Sequence, residues 1–325
     1  MKVIFFGTAE FAVPSLERLA RSPHQVVLCV TQPDRPQGRG LKHQPSPVKQ
    51  SAERLGLPIE QPERLDPRVC EGRAADIGVV AAYGQLIPRS VLGRFPRGMV
   101  GVHPSLLPKY RGAAPVAWAI LNGETRTGLT IFQMDERLDA GEILLQEPLA
   151  IEPREDTTAL TARLAALGAE VVVRVLDALA EGRLRPVPQD ESQASEAPKL
   201  TKAQGRIDWS RPAEVLERQV RALSPWPGAV TAYRSEPLRL WRVEAAGPAS
   251  FASQSEAAGG TVVEAGPDRL AVAAGGGILE VLELQPAGRR RQSVREFLAG
   301  HRIKIGDRFE TGDMRPETRD QRQET

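Results

Sequence analysis

With 325 residues the chain is long for one domain, and a prior of roughly one domain per 150 residues sets the expectation at two. A hydrophobic fraction of 41% with 26% charge is ordinary for soluble globular protein, and no run of about 18 apolar residues is present to cross a membrane. Net charge is only +2, from 43 basic and 41 acidic residues, which excludes a uniformly basic chain and leaves any polyanion contact to local clusters.

The first apolar run, residues 2–6, ends in Gly7-Thr8, and a helical pattern opened by Pro14 follows over 11–21. Strand, tight turn and helix make the first unit of a doubly wound α/β fold with a mostly parallel sheet. The turn carries neither GxGxxG nor GxxxxGK[ST], so no dinucleotide or nucleoside triphosphate is signalled. The opening apolar run is also too short for a signal peptide. Cys29 and Cys70 lack a CxxC frame or a paired His, which predicts buried thiols, no metal site and a reducing, cytoplasmic compartment.

After a strand over 25–31, residues 32–49 combine four prolines with Arg35, Arg39, Lys42 and Lys49 and read as an irregular loop. Either the loop is simply solvated or its cations meet phosphates. A helix over 48–55, a short strand at Ile59, a helix over 64–73 and a strand over 76–82 come next. The loop over 83–88 then leaves a strand's carboxyl end, either as a mere turn or as a pocket wall.

Met99, Val100 and Val102 predict a strand that Pro104 ends, leaving His103 at its carboxyl end, where open α/β sheets bind ligands. A histidine alone in this position is more often packed than catalytic. An irregular loop over 105–112, a helix over 113–121 and strands over 127–134 and 142–146 follow. A long helix ends near Ala180, with Thr157 as its expected cap. These elements form a domain over 1–188, and a polar, apolar-poor linker extends over 189–207.

Beyond a helix over 213–222, five short strands separated by Gly, Pro or Ser read as a small antiparallel barrel or sandwich within 208–309. Arg289, Arg290 and Arg291 precede a helix over 293–299, and residues 310–325 read as a flexible tail.

The stretch His103-Pro104-Ser105-Leu106-Leu107-Pro108, continuing through Arg111-Gly112-Ala113-Ala114-Pro115, resembles the active-site segment of the folate-dependent formyltransferases. Pro33-Asp34-Arg35-Pro36, Leu138-Asp139 with Gly141, Arg206-Ile207-Asp208-Trp209 and Pro225-Trp226-Pro227 extend the resemblance over nearly the whole chain, toward the branch acting on methionyl-tRNA. It implies a Rossmann-like catalytic domain and a C-terminal OB-like barrel. The implied reaction moves the formyl group of 10-formyltetrahydrofolate, a co-substrate, to the methionine amine of initiator Met-tRNA. The enzyme would act as a monomer, with no metal and no membrane.

By the same resemblance His103 and Asp139 form the catalytic pair. Ser105, Leu106, Leu107 and Pro108, with Tyr83, Gly84, Leu86 and Ile87, line the folate site. Arg35, Arg39, Lys42, Lys49, Lys199, Lys202, Arg206, Arg289, Arg290 and Arg291 face tRNA. Gly101 occupies the position of a family asparagine whose amide serves the formyl oxygen, so lowered turnover is expected here. Two alternatives stay open: transfer to a small amine such as glycinamide ribonucleotide or a sugar nucleotide, and a catalytically weak protein that binds tRNA or folate.

Overall fold

Strand β1 (Lys2–Gly7) buries Val3, Ile4, Phe5 and Phe6 completely, as a strand covered on both faces must. The structure, a computed structural model, describes residues 1–37, 42–246 and 257–311. Helix α1 (Val13–Ala20) buries Leu16 and Leu19 on one face, and β2 (Gln25–Val30) follows. Residues 32–49 are more regular than expected. They hold a two-stranded ribbon, β3 (Arg35–Gln37) with β4 (Lys42–Gln44), and the start of helix α2 (Pro47–Arg54). Such a ribbon has a free edge on each side and so tolerates Pro36. Ser46 caps α2 by accepting the Lys49 N–H at 3.0 Å.

Strand β5 (Ile59–Glu60) is followed by only a 3-10 turn, Pro67–Cys70, where a helix over 64–73 was expected. The residue before a proline avoids the α region, and Asp66, at φ −135°, caps the turn instead by accepting the Arg68 N–H. Strand β6 (Ile77–Ala81), the one-turn helix α3 (Arg89–Leu92), which no sequence signal announced, and β7 (Met99–His103) come next. Helix α4 (Pro115–Leu121), strands β8 (Arg126–Gln133) and β9 (Ile143–Ala150) and helix α5 (Thr157–Ala180) complete this part. Thr157 is the first residue of α5 rather than its cap, and its hydroxyl donates to the Ala222 carbonyl at 2.7 Å.

The sheet order is β5-β2-β1-β6-β7-β8-β9, parallel from β5 to β7 and antiparallel from β7 to β9. This is the Rossmann-like arrangement expected. The chain runs outward from β1 to β5 and returns as β6 on the other side of β1, the kind of switch point where such sheets bind ligands. At the far edge, β9 accepts Pro148 and continues to Ala150, past its expected end. Cys29 and Cys70 are buried free thiols.

Contacts group Met1–Val116, Thr125–Glu152 and Ala159–Lys199 into one unit and the remaining described residues into a second. The second unit takes in Ala117–Glu124 and Pro153–Thr158 and, beyond Leu200, helix α6 (Ala213–Ala222), then β10 (Ala229–Tyr233), β11 (Glu236–Ala246), β12 (Val262–Ala265), β13 (Leu270–Ala274) and β14 (Gly277–Pro286). Two short strands not foreseen, β15 (Gln292–Ser293) and β16 (Phe309–Thr311), flank helix α7 (Val294–Gly300). Strand β16 pairs with β10 and so carries regular structure two residues into the segment expected to fray.

The order is β12-β13-β14-β11-β10-β16, all antiparallel, and an isolated bridge between Thr261 and Arg308 joins its two ends. That closure gives an OB-like barrel, filled by Leu216, Leu240, Leu284, Phe297 and Phe309.

Helix α7 starts with a reciprocal capping box, Ser293 with Glu296. The Arg290 guanidinium, then the Ser293 N–H and hydroxyl, hold the Glu296 carboxyl down at about 2, against an ordinary 4.5. A depressed folded-state pKa contributes stability above the unfolded value and loses it as pH falls toward the folded one. Acid unfolding should therefore steepen between pH 4.5 and about 2, and Glu296→Gln should flatten that part of the curve. Identical acid-unfolding curves for the two proteins would mean that the capping box contributes nothing to acid stability.

Candidate active site

Pro104 cannot continue the ladder, so β7 stops at His103 and presents it at the sheet's carboxyl edge, with the residue 6% exposed. The following loop is anchored by Thr130 on β8. The Thr130 hydroxyl donates to the Ser105 carbonyl at 2.6 Å and accepts the Leu107 N–H at 3.1 Å. Gln146 on β9 donates to the Leu107 carbonyl at 2.7 Å, and the Ser105 hydroxyl donates to the Lys109 carbonyl at 2.6 Å. Ser105 and Leu107 are thereby buried, while Leu106 and Pro108 keep partly exposed apolar surface.

His103 Nε2 lies 2.9 Å from the Tyr110 carbonyl. A carbonyl only accepts, so Nε2 carries the proton of that bond and Nδ1 is the basic nitrogen of the neutral ring. Nδ1 faces Asp139 Oδ2 at 3.6 Å, with the two side chains 8% and 16% exposed. The Gly112 N–H donates to the same carboxylate oxygen at 2.8 Å and aims it. Asp139 itself sits at φ +50°, a left-handed conformation that a non-glycine residue holds only when its surroundings fix it. A basic ring nitrogen and a carboxylate so placed can take up and return a proton, each aimed by a backbone group, the Tyr110 carbonyl and the Gly112 N–H.

Gly101 lies one pleat before His103, directly across from Phe132 on β8. A Cβ at Gly101 would fall 2.4 and 2.6 Å from two ring carbons of Phe132, so the buried ring fills the space where another residue would carry its side chain. Phe132 was absent from the expected site, and only the β7–β8 register shows the pairing.

Of the expected folate residues, Tyr83 turns its ring into the core, 2% exposed and edge-on to Phe6 at 5.8 Å. Burial pushes its phenol up to about 12. The Tyr83 backbone still shapes the loop, its carbonyl accepting from the Thr8 hydroxyl and the Gln32 amide, both at 2.8 Å. Gly84 and Leu86 are exposed and Ile87 is half-buried, with Leu86 left 79% open to solvent.

Residues 189–197 reach this site as well. Gln189 donates to the Asp139 and Gly141 carbonyls, and Ser195 accepts the Tyr110 N–H. Glu191 pairs with Arg111 at 2.8 Å, and Arg111, then Arg137, hold its carboxyl below the usual range. A cavity of about 600 Å³ is lined by Arg111, Gly112, Leu138, Ala140, Ser195 and Lys199 among others. Polar composition at 189–207 suggested only a linker, because hydrogen-bond partners so distant in sequence leave no local signal.

The expected cationic residues divide between the two units. Arg35 pairs with Glu63 at 3.4 Å and Lys49 with Asp34 at 2.7 Å, while Lys199 is exposed. Arg39 and the Lys42 side chain lie outside the described residues. In the second unit Lys202 and Arg206 are exposed. Arg290 pairs with Glu296 at 2.6 Å, and Arg291 pairs with Glu283 and stacks over Trp241 at 4.9 Å, with Arg289 exposed beside them.

A family model described as formyl transferase matches residues 1–176, and one described as formyl transferase, C-terminal domain, matches residues 199–302. The methionyl-tRNA formyltransferase of Solibacter usitatus is 45% identical, covering 97% of this chain and 100% of its own length. That of Trichlorobacter lovleyi is 46% identical over 94% of this chain and 96% of its own. Among solved structures, an N-formyltransferase from Helicobacter canadensis superposes with TM-score 0.66 at 14% identity, covering 90% of this chain and 100% of its own. The sugar 3N-formyl transferase WlaRD gives 0.65 at 17% identity, covering 89% of this chain and 99% of its own.

Fold and matches together define a one-carbon transferase of the formyl transferase class. Within it, the chain belongs to the methionyl-tRNA formyltransferase family.

Proposed function

We propose that this protein transfers the formyl group of 10-formyltetrahydrofolate to the amine of methionine esterified to initiator tRNA. It would act in the cytoplasm and as a monomer. The observation that carries the reading is the His103–Asp139 pair, 3.6 Å apart at the carboxyl end of β7.

In this reading the amine lone pair forms the new bond to the formyl carbon, and the carbonyl electrons move onto oxygen. His103 Nδ1 takes the proton the amine sheds, and the Asp139 carboxylate stabilises the resulting imidazolium. Collapse of the tetrahedral intermediate breaks the bond to folate N10, which receives that proton. Proton transfer of this kind is worth ~10²–10⁴ in rate. Gly101 has no side-chain amide for the oxyanion, so a water or a backbone N–H takes that role and turnover is lowered.

Leu106, Pro108, Leu86 and Ile87 would give the folate its apolar contacts, on a scaffold set by the buried Ser105, Leu107 and Tyr83 with Gly84 at the turn. Arg35, Arg39, Lys42, Lys49, Lys199, Lys202, Arg206 and Arg289 to Arg291 would meet phosphates, which position a polynucleotide without reading its sequence. We assign catalysis to 1–188 and tRNA binding to 208–309, with 189–207 between them.

Acceptor choice tests the reading. Given 10-formyltetrahydrofolate, the protein should formylate initiator Met-tRNA and leave glycinamide ribonucleotide and amino-sugar nucleotides unchanged. Formylation of either small amine with Met-tRNA untouched would overturn it.

A further inference from the structure

We infer that residues 189–197 form a strap that holds the reacting pair in register, with Gln189 and Ser195 as its positioning residues. The inference rests on the assignment of His103 and Asp139 as that pair.

Four hydrogen bonds converge on the Gln189 amide. Its Nε2 donates to the Asp139 carbonyl at 2.9 Å and to the Gly141 carbonyl at 2.7 Å, clamping the turn on which Asp139 adopts φ +50°. Its Oε1 accepts from Arg111 Nε at 3.1 Å and Nη2 at 2.7 Å. A neutral side chain with two donors and an acceptor is required; a carboxylate would keep the Arg111 bonds but set a negative oxygen against two carbonyls.

Ser195 acts on the other partner. Its hydroxyl accepts the Tyr110 N–H at 2.9 Å, and Tyr110, at φ +63°, directs its carbonyl to His103 Nε2. Around it the strap lies alongside the 108–114 loop. Ser195 N–H donates to the Pro108 carbonyl at 3.2 Å, Arg111 N–H to the Ser195 carbonyl at 2.9 Å, and Ala197 N–H to the Arg111 carbonyl at 2.6 Å. The approach is so close that a Cβ at Gly112, φ +118°, would lie 2.9 Å from the Ala197 carbonyl oxygen. Gly112 in turn supplies the N–H that aims Asp139. Each member of the pair is thus oriented by a backbone group that the strap holds.

The test is a double-mutant cycle on turnover. Gln189→Ala and Gln189→Glu should each lower kcat roughly 10- to 100-fold, the scale of a small misplacement, with KM for Met-tRNA and for folate little changed. In an Asp139→Ala background the same Gln189 changes should cause no further loss, because the residue acts through Asp139. Ser195→Ala should also lower kcat, and Ser195→Thr, which keeps the hydroxyl, should restore it. If Gln189→Ala does not fold, Gln189→Glu, which keeps the Arg111 acceptor, completes the cycle, with thermal unfolding measured alongside. Losses that multiply in the Asp139→Ala background, or Gln189 variants with full kcat while Asp139→Ala is inactive, would overturn the strap alone. Full activity in Asp139→Ala would instead overturn the assignment of the reacting pair.

Discussion

Gly101→Asn should destabilise the protein by about 1–3 kcal/mol, the usual cost of forcing extra atoms into a packed interior. The new Cβ would meet the Phe132 ring at 2.4 Å, and Phe132, 2% exposed, can yield only by displacing its own neighbours. Phe132→Leu on its own should also destabilise, by emptying space beside a glycine. Combined, the two should cost less than the sum of the singles, by a coupling on the order of 0.5–3 kcal/mol read from urea unfolding midpoints. Strict additivity, or a Gly101→Asn protein as stable as its parent, would mean that the ring moves freely. The consequence for function is direct. Gly101→Asn alone places its amide in occupied space, and only the double variant asks fairly what that amide does for turnover.

Removing either member of the pair should have the larger effect on chemistry. His103→Ala and Asp139→Ala should each lower kcat ~10²–10⁴-fold, since each removes part of one proton-transfer device. Affinity for Met-tRNA should change little, because both side chains are nearly buried. Together the two changes should cost scarcely more than one, as residues acting as a unit do. Filter-binding affinity falling in step with kcat would make the pair a binding element instead.

The main elements were legible because burial on both faces leaves continuous apolar runs, as in β1, β6 and β7. Pro104 marked where β7 ends, and so placed His103. Asp139 came only through the resemblance, because nothing local pairs it with His103. Much of what was not legible depends on partners far away in the sequence. Tyr83 follows a strand end and reads as pocket wall, yet its ring completes the core beside Phe6. Gly101 in isolation reads as a missing donor, and the cross-strand register is what supplies Phe132. Gln189 and Ser195 sit in a polar stretch whose partners at 110–111 and 139–141 are fixed by the fold and not by any local period. The ribbon at 35–44 was obscured by its prolines, which a free-edged pair of strands accommodates.

The formyl transfer proposed for this chain, with glycine at position 101, proceeds at lowered turnover. Its most direct test is single-turnover formylation by the unaltered protein, mixed in excess with initiator Met-tRNA and 10-formyltetrahydrofolate. Formylmethionyl-tRNA should accumulate to completion, and Asp139→Ala should slow this phase ~10²–10⁴-fold. Met-tRNA that binds the unaltered protein and stays unformylated would contradict it.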